Sequence, residues 1–224
     1  MDTNSKKFVR LTVVSLVMLT IVLTAIVPVT TAQAKDKLNR QAFHDDMRKL
    51  WEDHITWTRL VIIGVFEDSP GLDSSVQRLL QNQVDIGDAI KPFYGEEAGE
   101  QLTALLTDHI LIAAEILQAA KVGDTDALED AVERWYANAD DIAEFLNAAN
   151  PKHWPLEEMK AMMREHLDLT LQEAVAYLEG DYESSIAAYD MVHLQALEMA
   201  DMLSKGIIKQ FPRKFRGGGD DDDD

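Results

Sequence analysis

Three histidines carry the clearest chemical signal in this chain of 224 residues. Asp53-His54-Ile55, Asp108-His109-Ile110 and Glu165-His166-Leu167 each read acid, histidine, branched aliphatic, and they recur at almost equal intervals along the chain. Each is answered downstream by an amide with an acid three residues beyond it: Asn82 with Asp85, Asn138 with Asp141, Gln195 with Glu198. Three neutral imidazoles with carboxylates form a donor set for zinc, iron, manganese or nickel, and need no cysteine. The amides Asn82, Asn138 and Gln195 would orient the ligands or hold a small polar molecule, and the acids preceding the histidines would serve as outer orienting groups. Arg59, set among apolar neighbours, requires a carboxylate partner or would bind an anionic ligand.

A plainer reading uses the same residues. Imidazole, amide and carboxylate in mid-helix seams are expensive to bury without partners. Each histidine would then bond the amide or acid of its own hairpin and fix helix register, as buried polar residues do in coiled coils. A third reading, a ferritin-like metallo-oxidase, has less behind it. Such bundles use paired Glu-x-x-His motifs, and the near case here, Asp190-x-x-His193, has no second copy. There is no His-Glu-x-x-His, no Gly-x-Ser-x-Gly elbow and no phosphate-cradling glycine loop. No catalytic residue is therefore assigned. His44 and His153 fall outside the repeat and read as surface residues. Met159, Met162, Met163, Met191, Met199 and Met202 could offer soft copper(I) donors, but their seam spacing favours core filling.

The elements that must position these groups are helices. Breaks fall at Asp68-Ser69-Pro70-Gly71, Tyr94-Gly95-Glu96, Val122-Gly123-Asp124, Asn150-Pro151 to Pro155, and Glu179-Gly180-Asp181. Between them the apolar residues recur at helical spacing, with no strand alternation. Helices are predicted over about 38–67, 73–93, 97–122, 125–149, 156–179 and 183–210. The three histidines sit in the apolar seams of the odd-numbered helices, and the three amides in the seams of the even-numbered ones. Self-similarity at about 56 residues is the mark of a repeated unit. The expected fold is thus all-α, a six-helix up-and-down bundle built from three repeated helical hairpins.

Turn positions refine that picture. Gly71, Gly123 and Gly180 are taken to open the three connections. His109 and His166 then stand equally far before their glycines, and their amides one position farther beyond them. At equal rise per residue each pair meets at one height. The first hairpin fits less well, because Gly71 stands farther along the chain from His54 than from Asn82. That offset predicts Asp85, rather than Asn82, as the nearer neighbour of His54.

Composition narrows the partners. The net charge is −19, and nucleic acid, which relies on basic groups displacing counterions, is a poor partner for such a surface. Residues 1–34 read as a secretory signal peptide: Lys6, Lys7 and Arg10, then the uncharged run Leu11 to Val27, then Ala32-Gln33-Ala34. An uncleaved anchor would be the chain's membrane contact, since about 17 apolar residues is the lower limit for a span. Loss of this segment, with three basic residues and one acid, takes the charge from −19 to −21. There is no cysteine, so no disulfide framework. The bundle is placed at 35–212, and residues 213–224, basic and then Gly217-Gly218-Gly219 with five aspartates, as a disordered tail.

The stretches LWEDHITWTR, QNQVDIGDAIKPFYG and NADDIAEFLNAANP resemble an uncharacterised family of secreted bacterial all-helical proteins. The likeness covers most of 38–212 and implies a helical, exported protein. It implies no activity, cofactor or active site. The expected function is an extracytoplasmic binding protein holding a divalent metal or small polar ligand. A non-catalytic structural or cell-surface protein is the alternative.

Overall fold

The computed structural model describes residues 37–216. Six α-helices account for most of them: α1 (Arg40–Phe66), α2 (Leu72–Tyr94), α3 (Glu96–Val122), α4 (Thr125–Ala149), α5 (Leu156–Leu178) and α6 (Tyr182–Gln210). The observed ends agree with the sequence-derived ranges to within about two residues. Local chemistry explains why. Asn39, Asp124 and Asp181 each accept a backbone N–H three residues on, capping α1, α4 and α6. Pro155 precedes the first residue of α5, where its fixed φ suits the chain's entry. Gly123 and Gly180 take left-handed conformations, φ 72° and 79°, just past α3 and in the α5–α6 turn.

The first hairpin closes differently from expectation. Gly71 has φ −93° and does not occupy the left-handed position. Asp68 does, at φ 51°. Its separation from His54 along the chain equals that of Gly123 from His109 and of Gly180 from His166. The first hairpin is therefore in step with the other two when its turn is placed at Asp68. Aspartate tolerates this region better than most side chains do, and Lys121 reaches Asp68 Oδ1 at 2.5 Å from α3.

Each helix packs on the next in the chain, and α6 packs back on α1. The main core cluster runs through all six helices, with Trp135, Ile142, Met159, Leu167, Ala196 and Ile207 almost wholly buried. A smaller cluster, Val61, Ile62, Val65, Leu79, Ile110, Leu117 and Ala174, lies toward the α1–α2 turn. α2 and α3 approach closely at Gly87 and Gly99, where an added Cβ on Gly87 would sit 2.6 Å from the Gly99 carbonyl oxygen. Gly206 admits the Trp154 indole in the same way, since a Cβ there would fall 2.1 Å from its Nε1. α3 is the one described helix long and apolar enough to cross a membrane by length and mean hydropathy (1.4). Here it packs between α2 and α4 with Leu102, His109 and Ile116 buried.

The C-terminal boundary needs correcting. Residues 213–216, expected in the tail, belong to the fold. Phe215 is 1% exposed and stacks on Phe93, and Leu38 and Phe215 form an isolated β-bridge. The basic residues around Phe215 give it the local pattern of a charged tail. Its ring and the Leu38 backbone outweigh that local charge. The leader expected over 1–34 and the Gly/Asp run from 217 lie outside the described residues.

Candidate functional site

The three histidines come together. Ring centroids of His54 and His166 are 5.8 Å apart, and those of His109 and His166 are 6.4 Å apart. All three are buried, at 8%, 3% and 5% exposure. His109 Nδ1 lies 2.9 Å from Asn138 Oδ1, and His166 Nδ1 lies 3.1 Å from Gln195 Oε1. Each amide is anchored at its other end. Asn138 Nδ2 donates to the Leu105 carbonyl and Gln195 Nε2 to the Met162 carbonyl, both at 3.0 Å. Those carbonyls belong to the residue four before the histidine.

This anchoring settles the chemistry of the rings. With its NH2 committed to a carbonyl, the amide offers only oxygen to the imidazole, so Nδ1 must carry the proton. Burial and then the neighbouring His166 push His109 down to about 3, and burial takes His166 down to about 4 despite the Gln195 hydrogen bond. Both rings are therefore neutral near pH 7, protonated on Nδ1, with a bare Nε2 lone pair. A carbonyl-type oxygen on Nδ1–H is the arrangement that orients metal-ligating histidines.

The first hairpin shares the amide's work between two residues. Asn82 Nδ2 donates to the Leu50 carbonyl at 3.0 Å, again four residues before the histidine. Gln83 Nε2 donates to the Leu79 carbonyl at 2.7 Å and to Asn82 Oδ1 at 3.2 Å and stands 3.3 Å from His54 Nδ1, while a hydrogen bond from Asn82 opposes the fall of the His54 pKa. The same separation of 29 along the chain divides His54 from Gln83, His109 from Asn138 and His166 from Gln195. That spacing was readable, and the neighbouring asparagine masked it. Burial, then His166 and His109, bring His54 down to about 3. Gln83 Oε1 is buried without a hydrogen-bond partner among the described residues.

A second set of bonds ties the histidine backbones. Thr58 and Thr170 hydroxyls donate to the carbonyls of His54 and His166 at 2.8 Å. Ala113 holds the corresponding place in α3, and the Trp135 indole N–H supplies the bond to the His109 carbonyl instead, at 3.0 Å. Helix register is thus fixed at both the side chain and the main chain of each histidine.

The carboxylates do not join them. Asp85 is half-buried and bonded to Gln81 and Arg78, so it is not the partner of His54 that the turn arithmetic predicted. Asp141 and Glu198 are exposed. Each lies three residues past its amide, about 60° to one side of it on the helix, and that edge of the seam faces solvent at Asp141 and Glu198. Asp53 binds Lys49 and Arg78, and Asp108 and Glu165 face solvent. Among the described residues no three histidine, aspartate or glutamate side chains are grouped so as to hold a metal ion. The layer is histidine and amide, without acid.

Arg59 also has its partner. Its Nη1 lies 2.7 Å from Glu173 Oε1 and its guanidinium sits 4.8 Å above the Tyr189 ring. Glu173, which interrupts the apolar stripe of α5, is 1% exposed. Burial pushes its carboxyl up to about 7, against the pull of Arg59. Arg59 therefore answers a buried carboxylate and is not free to bind an anion.

The histidines line one cavity of about 50 Å3, several times the roughly 10–15 Å3 that a single water requires. Its other walls include Gln83, Met163, Met199, Ile142, Leu203 and Trp154. Apart from Gln83, level with His54, the lining helical residues lie on the side of the layer away from the hairpin turns. Histidine nitrogens and the Gln83 amide are its polar groups. The remaining lining side chains are aliphatic, thioether or the indoles of Trp51 and Trp154, and almost all of the wall surface is apolar. No protein-family model matches the chain, and no curated protein or solved structure shows a significant match to it.

Proposed function

We propose that this is an extracytoplasmic binding protein whose up-and-down bundle of three repeated helical hairpins, with a period of about 56 residues, holds a metal ion or small polar ligand. The site is the layer of His54, His109 and His166 with Gln83, Asn138 and Gln195. The carrying observation is the pair of amide-tied, neutral imidazoles at His109 and His166, beside His54 on one cavity. A histidine that only fixed register would need no cavity beside it. The unpartnered Gln83 oxygen on the same wall adds an acceptor for a ligand hydrogen. Export is supported by the leader-like N-terminal segment and by the resemblance to secreted helical proteins.

The test is metal content of protein purified without chelator, with thermal denaturation after adding zinc, iron, manganese, nickel or copper in turn. Stoichiometric metal, or a stabilisation abolished by His109→Leu and His166→Leu, is the expected result. Absence of both would remove the metal reading. A second reading has one observation in its favour: each Nδ1 is already satisfied within its own hairpin. On that reading the protein is a structural or surface-interaction protein, and small polar solutes would bring no stabilisation either.

A further inference from the structure

The composition of the cavity wall says more than the histidines alone. Resting on the metal reading above, we infer that the ion taken by this layer is copper(I), held by imidazole nitrogen and methionine sulfur.

Charge comes first. An ion in this cavity meets neutral imidazoles, one amide, thioethers, indoles and hydrocarbon. No carboxylate lies at the layer, because Asp85 is tied to Gln81 and Arg78, Asp141 and Glu198 are exposed, and Glu173 is held by Arg59. The solvation lost on entering a low-dielectric site grows as the square of the charge, so an uncompensated divalent ion loses about four times as much as a monovalent one. A zinc or iron centre here would keep its double charge uncompensated by protein, unless a hydroxide or another anion came in with the ion.

Donor softness comes second. Met163 lies three residues before His166, about 4.5 Å along α5, and Met199 lies four beyond Gln195, about 6 Å along α6. Both are on the side of the layer away from the α5–α6 turn, and both line the cavity with the histidines. They are 4% and 5% exposed. Met47, the third thioether on the wall, stands seven residues from His54 and is the more distant donor. Thioether and imidazole together are the donors that select Cu(I). Apart from Gln83, the other lining side chains are aliphatic or aromatic and would exclude water.

Spacing comes third. Zinc–nitrogen bonds of about 2.0–2.1 Å place tetrahedrally related imidazole centroids about 5.2 Å apart. The observed 5.8 and 6.4 Å are wider. Two imidazoles opposed across Cu(I), whose filled d shell accepts low coordination numbers, would stand with centroids about 6.1 Å apart, so the wider pair must close by about 0.3 Å to take the ion, against about 1.2 Å for tetrahedral zinc.

The experiment is an anaerobic titration of the full chain with Cu(I), delivered as its acetonitrile complex and competed against bicinchoninate. X-ray absorption is then measured on the loaded protein. One Cu(I) per chain, with both nitrogen and sulfur scattering, is expected. Met163→Leu with Met199→Leu should weaken binding at least tenfold and remove the sulfur shell. Leucine conserves the volume, and circular dichroism with thermal melting confirms that the variant is folded. Cu(I) binding with nitrogen scattering alone, unchanged in the double leucine variant, overturns the inference. So does histidine-dependent binding of zinc or cobalt(II) without Cu(I), although the parent metal reading then stands. No binding of any of these ions removes both.

Discussion

His109 donates its Nδ1–H to Asn138 Oδ1 at 2.9 Å, and Asn138 passes its own N–H to the Leu105 carbonyl one helical turn below the histidine. The amide thus bridges a side chain and the main chain of the same helix. Replacing Asn138 by alanine should leave a buried imidazole N–H without a partner and cost about 1–3 kcal/mol. In a double-mutant cycle with His109→Leu, the two losses should fall short of additivity by about 0.5–3 kcal/mol. Strict additivity in urea denaturation would show that the bond contributes nothing. Nitrogen-15 shifts of His109 and His166 should report the Nδ1-protonated tautomer in the unliganded protein.

The buried imidazoles also set how stability responds to acid. Their folded values of about 3, 3 and 4 lie below the ordinary 6.5. Below pH 6.5 the unfolded chain takes up protons that the folded chain excludes, so stability is lost as pH falls toward 3–4. Glu173, raised from 4.5 to about 7, acts in the opposite sense and lowers stability as pH rises from 4.5 to 7. Three groups against one leave a net change of about 2.7 kcal/mol per pH unit between roughly pH 5 and 6. Denaturant unfolding across that window checks it. A flat profile would contradict buried neutral histidines, and substituting all three by glutamine should remove the acid sensitivity.

Asp68 occupies the left-handed turn position at φ 51°, where the other two hairpins have Gly123 and Gly180. The ion pair it makes with Lys121 is exposed on the aspartate side and contributes little. Asp68→Gly should therefore raise stability by up to about 1 kcal/mol. Gly123→Ala and Gly180→Ala should each lower it by a similar amount. Melting temperatures of the three variants, moving in opposite directions, test the assignment. Destabilisation by Asp68→Gly would show that the Lys121 contact matters more than the backbone.

Removing Arg59 would strand the Glu173 carboxylate in the core. Arg59→Met should cost about 3–5 kcal/mol at pH 8.5, the range seen when one partner of a buried ion pair is deleted. At pH 6 the loss should be markedly smaller, because Glu173 can then hold its proton. Adding Glu173→Gln should recover much of the stability and abolish the pH dependence. Equal losses at both pH values would mean that Glu173 is already protonated beside Arg59.

What the sequence determined by itself is local. Helix periodicity, capping residues and glycine turns depend on neighbours within one or two turns, and the six helices end within about two residues of where those signals place them. The constant separation of histidine from amide is likewise a property of hairpins with turns of similar length. What only the tertiary structure decided is which groups share a space. Sequence spacing places Asp85, Asp141 and Glu198 near the seams, but a difference of about 100° per residue turns a side chain from core to solvent. At His54 the amide's work is shared between Asn82 and Gln83, a one-residue shift of the same kind. Glu173 and Arg59, far apart in the chain, form an ion pair that no local pattern could join. The same packing sets the histidines beside methionine sulfur and away from carboxylate. The acid-histidine triplets mark three imidazoles that the fold gathers on one cavity, and packing turns their acids away from it.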